Sequence, residues 1–192
     1  MDNFLVALYG SKQTVFTSRE IALLIGAKSM NTLKSKLAYY VRTGRLIRLR
    51  RGMFAKDKTY DRNELAVRIY TPAYLSFETV LARTGVIFQY YESLFVASYL
   101  SREVIVAEQK IVYRKLRDDI LGNQKGLVDR GYFFEATKER AFLDRLYLFP
   151  EYYFDNPRGM DWDVCKEIAP IYKSQKLEKI LDTYIQAYAR TQ

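Results

Sequence analysis

The sequence predicts an α+β protein, with an N-terminal winged helix-turn-helix domain over residues 1–58 and a mixed α/β domain over residues 59–192 that holds a small antiparallel or mixed sheet. Three observations support this prediction. Three helical patterns, followed by two short apolar runs around a glycine, occupy the first part. The whole excess of basic charge lies within the same stretch. After it, helical patterns alternate with short β-branched runs, which indicates a second core.

The first two helices are predicted from apolar spacing and from a capping signal. Residues 3–12 carry apolar side chains at helical spacing. Thr17 and Glu20 have the spacing of a capping box, in which the hydroxyl accepts a backbone N–H and the carboxylate bonds back to the N–H of the cap residue. This pair predicts a short second helix that ends at Gly26.

The third helix is predicted to start after Ser29 and to end before Gly44, and its pattern is amphipathic. Its apolar face is expected to hold Met30, Leu33, Leu37, Tyr40 and Val41. The opposite face carries no acidic residue and consists of Asn31, Ser35, Tyr39 and Arg42, with Lys28 and Thr32 beside them. A basic, amide-bearing helix that follows a shorter helix and a tight turn is typical of a helix-turn-helix.

A β-hairpin is predicted directly after the third helix. Its two runs, residues 45–50 and 53–56, flank Gly52, which supplies the positive φ that such a turn often needs. In this position the hairpin is interpreted as the wing of a winged helix.

The basic charge of the chain is confined to the third helix and the hairpin. Residues 28–58 carry ten basic side chains and one acidic side chain, so their net charge of +9 equals that of the whole chain. An acidic partner is therefore expected here. Double-stranded DNA is favoured over anionic lipid, because the basic residues do not lie on a helix with a broad exposed apolar face.

The expected DNA-binding residues form three groups. Base edges in the major groove are expected to contact Asn31, Thr32, Ser35 and Tyr39. Phosphates are expected to contact Lys28, Lys34, Lys36 and Arg42. The hairpin is expected to contact the backbone or the minor groove through Arg45, Arg48, Arg50 and Arg51. Because half-sites occur in pairs, two copies should occupy one operator, as a homodimer or a cooperative pair.

The second domain is predicted as a set of short elements. Helices are expected at residues 63–70, 76–83, 138–148 and 177–189, and strands at 94–100, 104–106, 111–113 and 132–134. A polar loop is expected at 118–126, and an aromatic loop after Pro150. Asp144 is expected to form a structural ion pair with Arg140 or Arg145.

Composition excludes much of hydrolytic chemistry. Without histidine, the chain cannot form a Ser-His-Asp triad, a Cys-His pair or a histidine zinc site. The single cysteine, Cys165, excludes an internal disulfide and fits a reducing cytoplasm. No apolar run reaches the ~20 residues of a membrane helix, and residues 1–9 lack the basic start of a secretory signal. We expect a cytoplasmic protein that contacts no membrane and uses no catalytic residue, cofactor or metal.

Two alternatives remain at this point. Glu108-Gln109-Lys110 has the E-x-K spacing of metal-dependent nucleases on an expected strand, where the carboxylate would hold Mg²⁺ and the lysine would stabilise developing charge. That motif also needs an upstream aspartate, and none lies between Asp61 and Glu108. The other alternative is a winged-helix adaptor that contacts only proteins.

Two sequence blocks resemble those of a known family. Residues 70–76, YTPAYLS, match the pattern Y-x-P-x-Y-(I/L)-S, and residues 136–144, ATKERAFLD, match A-T-P-E-(K/R)-A-x-x-D except at Lys138. Lysine is tolerated in the first turn of a helix, where the pattern prefers proline. In their order and spacing, the blocks resemble the AbiEi family, the antitoxin and transcriptional-regulator half of abortive-infection toxin–antitoxin pairs. The resemblance covers roughly residues 10–150.

The resemblance implies a repressor of its own operon that binds inverted repeats in the promoter through the winged helix. It also implies antitoxin activity in the second domain, directed against a nucleotidyltransferase-like toxin, with neutralisation that need not involve a stable complex.

Overall fold

The computed structural model describes residues 3–188, which form an α+β structure as predicted. The chain divides into two compact units. The first unit runs up to Leu65 and includes Val106–Glu108, and the second unit contains Ala66–Ile105 and the residues from Gln109 onward. The division falls inside helix α4 (Arg62–Arg68). The domain boundary expected after residue 58 stays a prediction.

The first unit contains three helices and a three-stranded antiparallel sheet. In chain order, the elements are α1 (Asn3–Gly10), β1 (Val15–Thr17), α2 (Ser18–Leu24), α3 (Met30–Arg42), β2 (Ile47–Arg50) and β3 (Met53–Ala55). Strand β3 lies between β1 and β2. The predicted helices and hairpin are present, and β1 is an element that the sequence patterns did not predict.

Local signals explain where these elements begin and end. The capping box at α2 is present, since the Thr17 Oγ1 accepts the Glu20 N–H at 3.2 Å and the Thr17 N–H donates to Glu20 Oε2 at 2.7 Å. The hairpin turns at Gly52, whose φ of +78° is the conformation expected of a glycine there. The first helix ends at Gly10 rather than near residue 12.

The core of the first unit packs the three helices on the sheet. Its buried members are Phe4, Leu8, Phe16, Ile21, Leu33, Leu37, Tyr40, Leu46 and Phe54. The expectation that Met30 belongs to this core is wrong, because its side chain is 45% exposed. Met30 is the first residue of α3, and the first buried residue of this helix is Leu33.

The second unit contains a six-stranded sheet with helices. Its strands are β4 (Ala73–Leu75), β5 (Leu94–Ser98), β6 (Arg102–Val106), β7 (Gln109–Lys115), β8 (Leu127–Asp129) and β9 (Phe134–Ala136), in the spatial order β6-β7-β5-β4-β9-β8. Strand β4 pairs antiparallel with β5 and parallel with β9, so the sheet is mixed. The expectation of a small sheet is wrong, because the sheet has six strands. Strands β4 and β8 are the ones that the sequence did not predict.

The helices of the second unit are α5 (Phe77–Arg83), α6 (Asp118–Leu121), α7 (Lys138–Leu148), α8 (Trp162–Ile168) and α9 (Gln175–Tyr188). The expected polar loop at 118–126 contains α6, whose Ile120 and Leu121 are buried. The expected aromatic loop after Pro150 contains α8, whose Trp162 packs at 5.9 Å from the Phe142 ring. The last residue of the predicted final helix, Ala189, lies outside the described residues.

Candidate nucleic-acid interface

Three apolar side chains on one face of helix α3 are buried, which determines the face that is exposed. Leu33, Leu37 and Tyr40 are each about 2% exposed. The exposed side of the helix carries the residues expected to contact base edges, namely Asn31, Thr32, Ser35 and Tyr39. The Ser35 hydroxyl donates to the Asn31 carbonyl oxygen at 3.3 Å. This face therefore presents an amide, hydroxyls and a phenol, with no carboxylate.

Most of the basic side chains within and next to α3 and the hairpin lack ion pairs. Within residues 3–188, no ion pair is formed by Lys28, Lys34, Arg42, Arg45, Arg48 or Arg51. All six are exposed. Their charge is not cancelled locally, so it remains available to an anionic partner.

Aromatic rings hold several of these cations in place. The Lys36 ammonium lies 5.0 Å from the Phe4 ring centroid, and its side chain is half-buried. The Arg42 guanidinium lies 5.9 Å from the Tyr39 ring, and that of Arg48 lies 5.6 Å from the Phe54 ring. Such cation–π contacts orient the charged groups without neutralising them. Arg50 is half-buried, which makes it less accessible than Arg48 or Arg51.

The hairpin is attached to the helices at its tip and its base. At the tip, the Ser18 N–H donates to the Gly52 carbonyl at 2.9 Å, which ties the turn to the start of α2. At the base, the Tyr9 hydroxyl lies 3.2 Å from the carbonyl oxygen of Arg45 and 3.1 Å from that of Lys56. The hairpin therefore has a defined position relative to α1 and α2.

The one acidic residue of this region is bonded to its own turn. Asp57 Oδ1 accepts the Thr59 N–H at 2.8 Å and the Thr59 hydroxyl at 2.5 Å. These bonds lower the pKa of the Asp57 carboxyl group. The carboxylate remains ionised, and its single negative charge is already included in the net charge of +9 of residues 28–58.

The E-x-K segment does not have the geometry of a metal site. Glu108 lies in the turn between β6 and β7, with a φ of +65°, so its expected position on a strand is wrong. Gln109 is buried and donates to the Glu92 carbonyl at 2.7 Å, while Lys110 pairs with Glu103 at 2.9 Å. Among residues 3–188, no group of three His, Cys, Asp or Glu side chains could hold a metal ion.

The two blocks that resemble the AbiEi pattern meet inside the second unit. Asp144 accepts hydrogen bonds from the hydroxyls of Tyr74, Ser76 and Tyr172 at 2.9, 2.7 and 2.6 Å. The Arg140 Nε lies 3.3 Å from Asp144, and both side chains are fully buried. Of the two partners expected for Asp144, the structure therefore selects Arg140.

The polar groups of this buried network make further hydrogen bonds within the unit. The Arg140 guanidinium also donates to the carbonyls of Ile120 and Lys125, each at 2.8 Å. Burial, and then the nearby Asp144 charge, raise the pKa of both Tyr74 and Tyr172 well above their usual value. Burial opposes the charge of Arg140, but Asp144 together with Tyr172 and Tyr74 outweighs burial and raises the pKa of the guanidinium. The motif residues thus have a structural role in the core.

A second ion cluster in this unit was missed by the sequence patterns. Glu78 is 2% exposed and pairs with Arg114 at 3.0 Å and with Arg145 at 3.2 Å. The Arg145 guanidinium lies 4.0 Å from the ring centroids of both Phe149 and Tyr152. The three charged residues lie 36 and 31 positions apart in the sequence, so no local spacing could have joined them.

A scan of the chain against protein-family models finds no match, and a search of the curated proteins finds no similar sequence. Among residues 3–188, every helix is too short or too polar to cross a membrane.

Proposed function

We propose that the protein is a DNA-binding transcriptional repressor whose first unit is a winged helix-turn-helix. The observation that carries this proposal is the concentration of unpaired cations on α3 and the hairpin. Residues 28–58 hold the entire net charge of +9. No ion pair among the described residues is formed by Lys28, Lys34, Arg42, Arg45, Arg48 or Arg51. Neutralised phosphates provide most of the affinity of such an interface for DNA.

The topology of the first unit supports the winged-helix assignment. Its elements follow the order α1-β1-α2-α3-β2-β3, and β3 lies between β1 and β2. Helix α3 has the exposed polar face that a recognition helix needs in the major groove. The hairpin β2-β3 follows it directly and is the proposed wing, with Arg48 and Arg51 against the sugar-phosphate backbone or in the minor groove.

We propose further that the repressor acts on its own operon, in the cytoplasm, as the antitoxin of an AbiEi-like pair. This part rests on the two sequence blocks at residues 70–76 and 136–144. Their polar residues meet around Asp144, so the blocks support the fold of the second unit. That unit would carry the antitoxin function towards a nucleotidyltransferase-like toxin, and the protein would catalyse no reaction. Two copies would occupy the inverted repeats of one operator.

Salt dependence of DNA binding tests the wing assignment. We expect log affinity for duplex DNA to fall linearly with log salt, by about 0.9 per phosphate contact. The double variant Arg48→Ala/Arg51→Ala should flatten this slope by about two units. Both side chains are exposed, so the variant should fold.

A charge-matched control separates local contacts from net charge. Lys176→Ala/Lys179→Ala removes the same two charges from exposed positions on α9 and should leave the slope unchanged. Equal slopes for the wild type and the wing variant would contradict the wing assignment. A protein without affinity for any duplex at low salt would favour the adaptor hypothesis instead.

A further inference from the structure

The exposed face of α3 has a central line of four residues. Asn31, Ser35, Ala38 and Arg42 follow the spacing i, i+4, i+7 and i+11, which places them in one row along a helix. All four are exposed, and the row lies opposite the buried Leu33, Leu37 and Tyr40. If α3 enters the major groove as proposed above, this row faces the base edges; the inference below rests on that proposed function.

The chemistry of the row changes along the helix from amide to methyl to cation. Asn31 carries a side-chain amide, which can donate to and accept from the N6 and N7 atoms of adenine at once. Ala38 presents a bare methyl group, which suits apolar contact with the C5-methyl group of thymine. A serine hydroxyl can hydrogen-bond to either kind of pair, and that of Ser35 donates to the backbone carbonyl oxygen of Asn31, which leaves the Asn31 side-chain amide available.

Guanine is most often contacted by arginine or lysine, and the first three residues of the row include neither. The only cation of the row is Arg42, which lies in the last turn of α3 with its guanidinium 5.9 Å from the Tyr39 ring centroid. Lys34 is three positions from Asn31 and four from Ala38, so it lies about 40–60° to one side of these two residues, where we assign its ammonium to a phosphate. The groups on the row itself from Asn31 to Ala38 are therefore matched to adenine and thymine rather than to guanine.

We propose that the protein selects A·T base pairs at the centre of each half-site, with Asn31 contacting an adenine and Ala38 packing on a thymine methyl group. The two residues are seven positions apart, about 10 Å along the helix at ~1.5 Å per residue. Along the axis of B-DNA, that distance spans at most about three base pairs at ~3.4 Å each. The half-site should therefore contain an adenine contact and a thymine contact separated by up to about three base pairs.

Selection from a random pool of duplexes, followed by base analogues in the selected duplex, tests this inference. We expect the selected half-site to be rich in A·T pairs. Uracil in place of the contacted thymine removes only the methyl group and should weaken binding about fourfold, which corresponds to ~0.8 kcal/mol for one buried carbon. At the contacted adenine, 7-deazaadenine removes the N7 acceptor and should weaken binding about fivefold or more.

Matched protein variants assign each effect to one side chain. Ala38→Gly removes the methyl group and should bind the thymine and uracil duplexes equally, and Asn31→Ala should bind the adenine and 7-deazaadenine duplexes equally. Both positions are exposed on α3, so the variants should fold. Lys34→Ala is the control: it should weaken binding to all duplexes by the same factor, as expected for a phosphate contact.

The outcomes separate this inference from the proposed function. Salt-dependent binding with G·C pairs enriched at the half-site centre, or with no loss on uracil substitution, would overturn the inference and leave the DNA-binding function standing. If no duplex is retained from the pool at low salt, the proposed function fails, and the A·T preference fails with it.

Discussion

Replacing Asp144 with asparagine should strongly destabilise the second unit. The change keeps the size of the side chain but removes the charge opposite Arg140, and both groups are fully buried. Breaking a buried ion pair by removing one partner costs about 3–5 kcal/mol. The new NH₂ group is a donor, and it would face hydroxyls that donate to Asp144, those of Tyr74, Ser76 and Tyr172. We therefore expect a loss of about 3–5 kcal/mol, a large fraction of the usual 5–15 kcal/mol of a domain.

The fluorescence of the single tryptophan measures this loss in the second unit alone. Trp162 is 6% exposed and belongs to the core of that unit, next to Phe142 and Tyr184. Urea unfolding followed by Trp162 emission should give a midpoint well below that of the wild type. Thermal unfolding should show a melting temperature lower by about 10 °C or more, at ~3 °C per kcal/mol.

Asp163→Asn is the matched control for this measurement. Its carboxylate side chain is 93% exposed and pairs with Lys166 at 3.4 Å, an exposed pair worth less than about 1 kcal/mol. The two variants make the same chemical change within one unit. A loss below about 1 kcal/mol in Asp144→Asn would refute the conclusion that the network around Asp144 is essential to the core.

Two further predictions concern local stability in each unit. The pKa values of Tyr74 and Tyr172 are raised in the folded state, so the stability of the second unit should be full below the unfolded tyrosine pKa of ~10 and decline above it. In urea unfolding at several pH values, Tyr172→Phe should reduce that decline, whereas Tyr153→Phe, at an exposed position, should not. In the first unit, Thr17→Ala removes the capping box and should cost about 1 kcal/mol; faster amide hydrogen exchange in α2 checks this, and unchanged exchange would contradict it.

The helices and the hairpin of the first unit could be predicted because their signals are local. The capping box of Thr17 and Glu20 spans four residues, and the turn of the hairpin needs only Gly52 between two short runs. Strand β1 escaped prediction because its three residues also serve as the entry to α2, and its partner β3 lies almost forty residues further along. A short strand of this kind is defined by its partner rather than by its own pattern.

The second unit could be predicted less well because its sheet depends on distant pairing. Strand β4 has three residues and gains its two neighbours from β5, about twenty residues later, and β9, about sixty residues later. Ion pairs between distant residues could not be predicted either. The Arg140–Asp144 pair has i,i+4 spacing and could be predicted as one of two alternatives, whereas the pairing of Arg145 with the distant Glu78 could not.

Residues 28–58 and the rest of the chain differ in how their cations are paired. Residues 59–192 hold nineteen basic and nineteen acidic side chains. Arg140 and Arg145 among the basic ones lie buried against carboxylates, and the half-buried Arg114 pairs with the buried Glu78. An arginine that is paired inside a core cannot also bind a phosphate. In residues 28–58 the cations have a single acid among them, which is bonded to Thr59. Net charge therefore indicates an anionic partner only for residues 28–58. If that partner is DNA, as we propose, neutralising the exposed cations of this stretch should abolish the affinity while leaving the second unit folded.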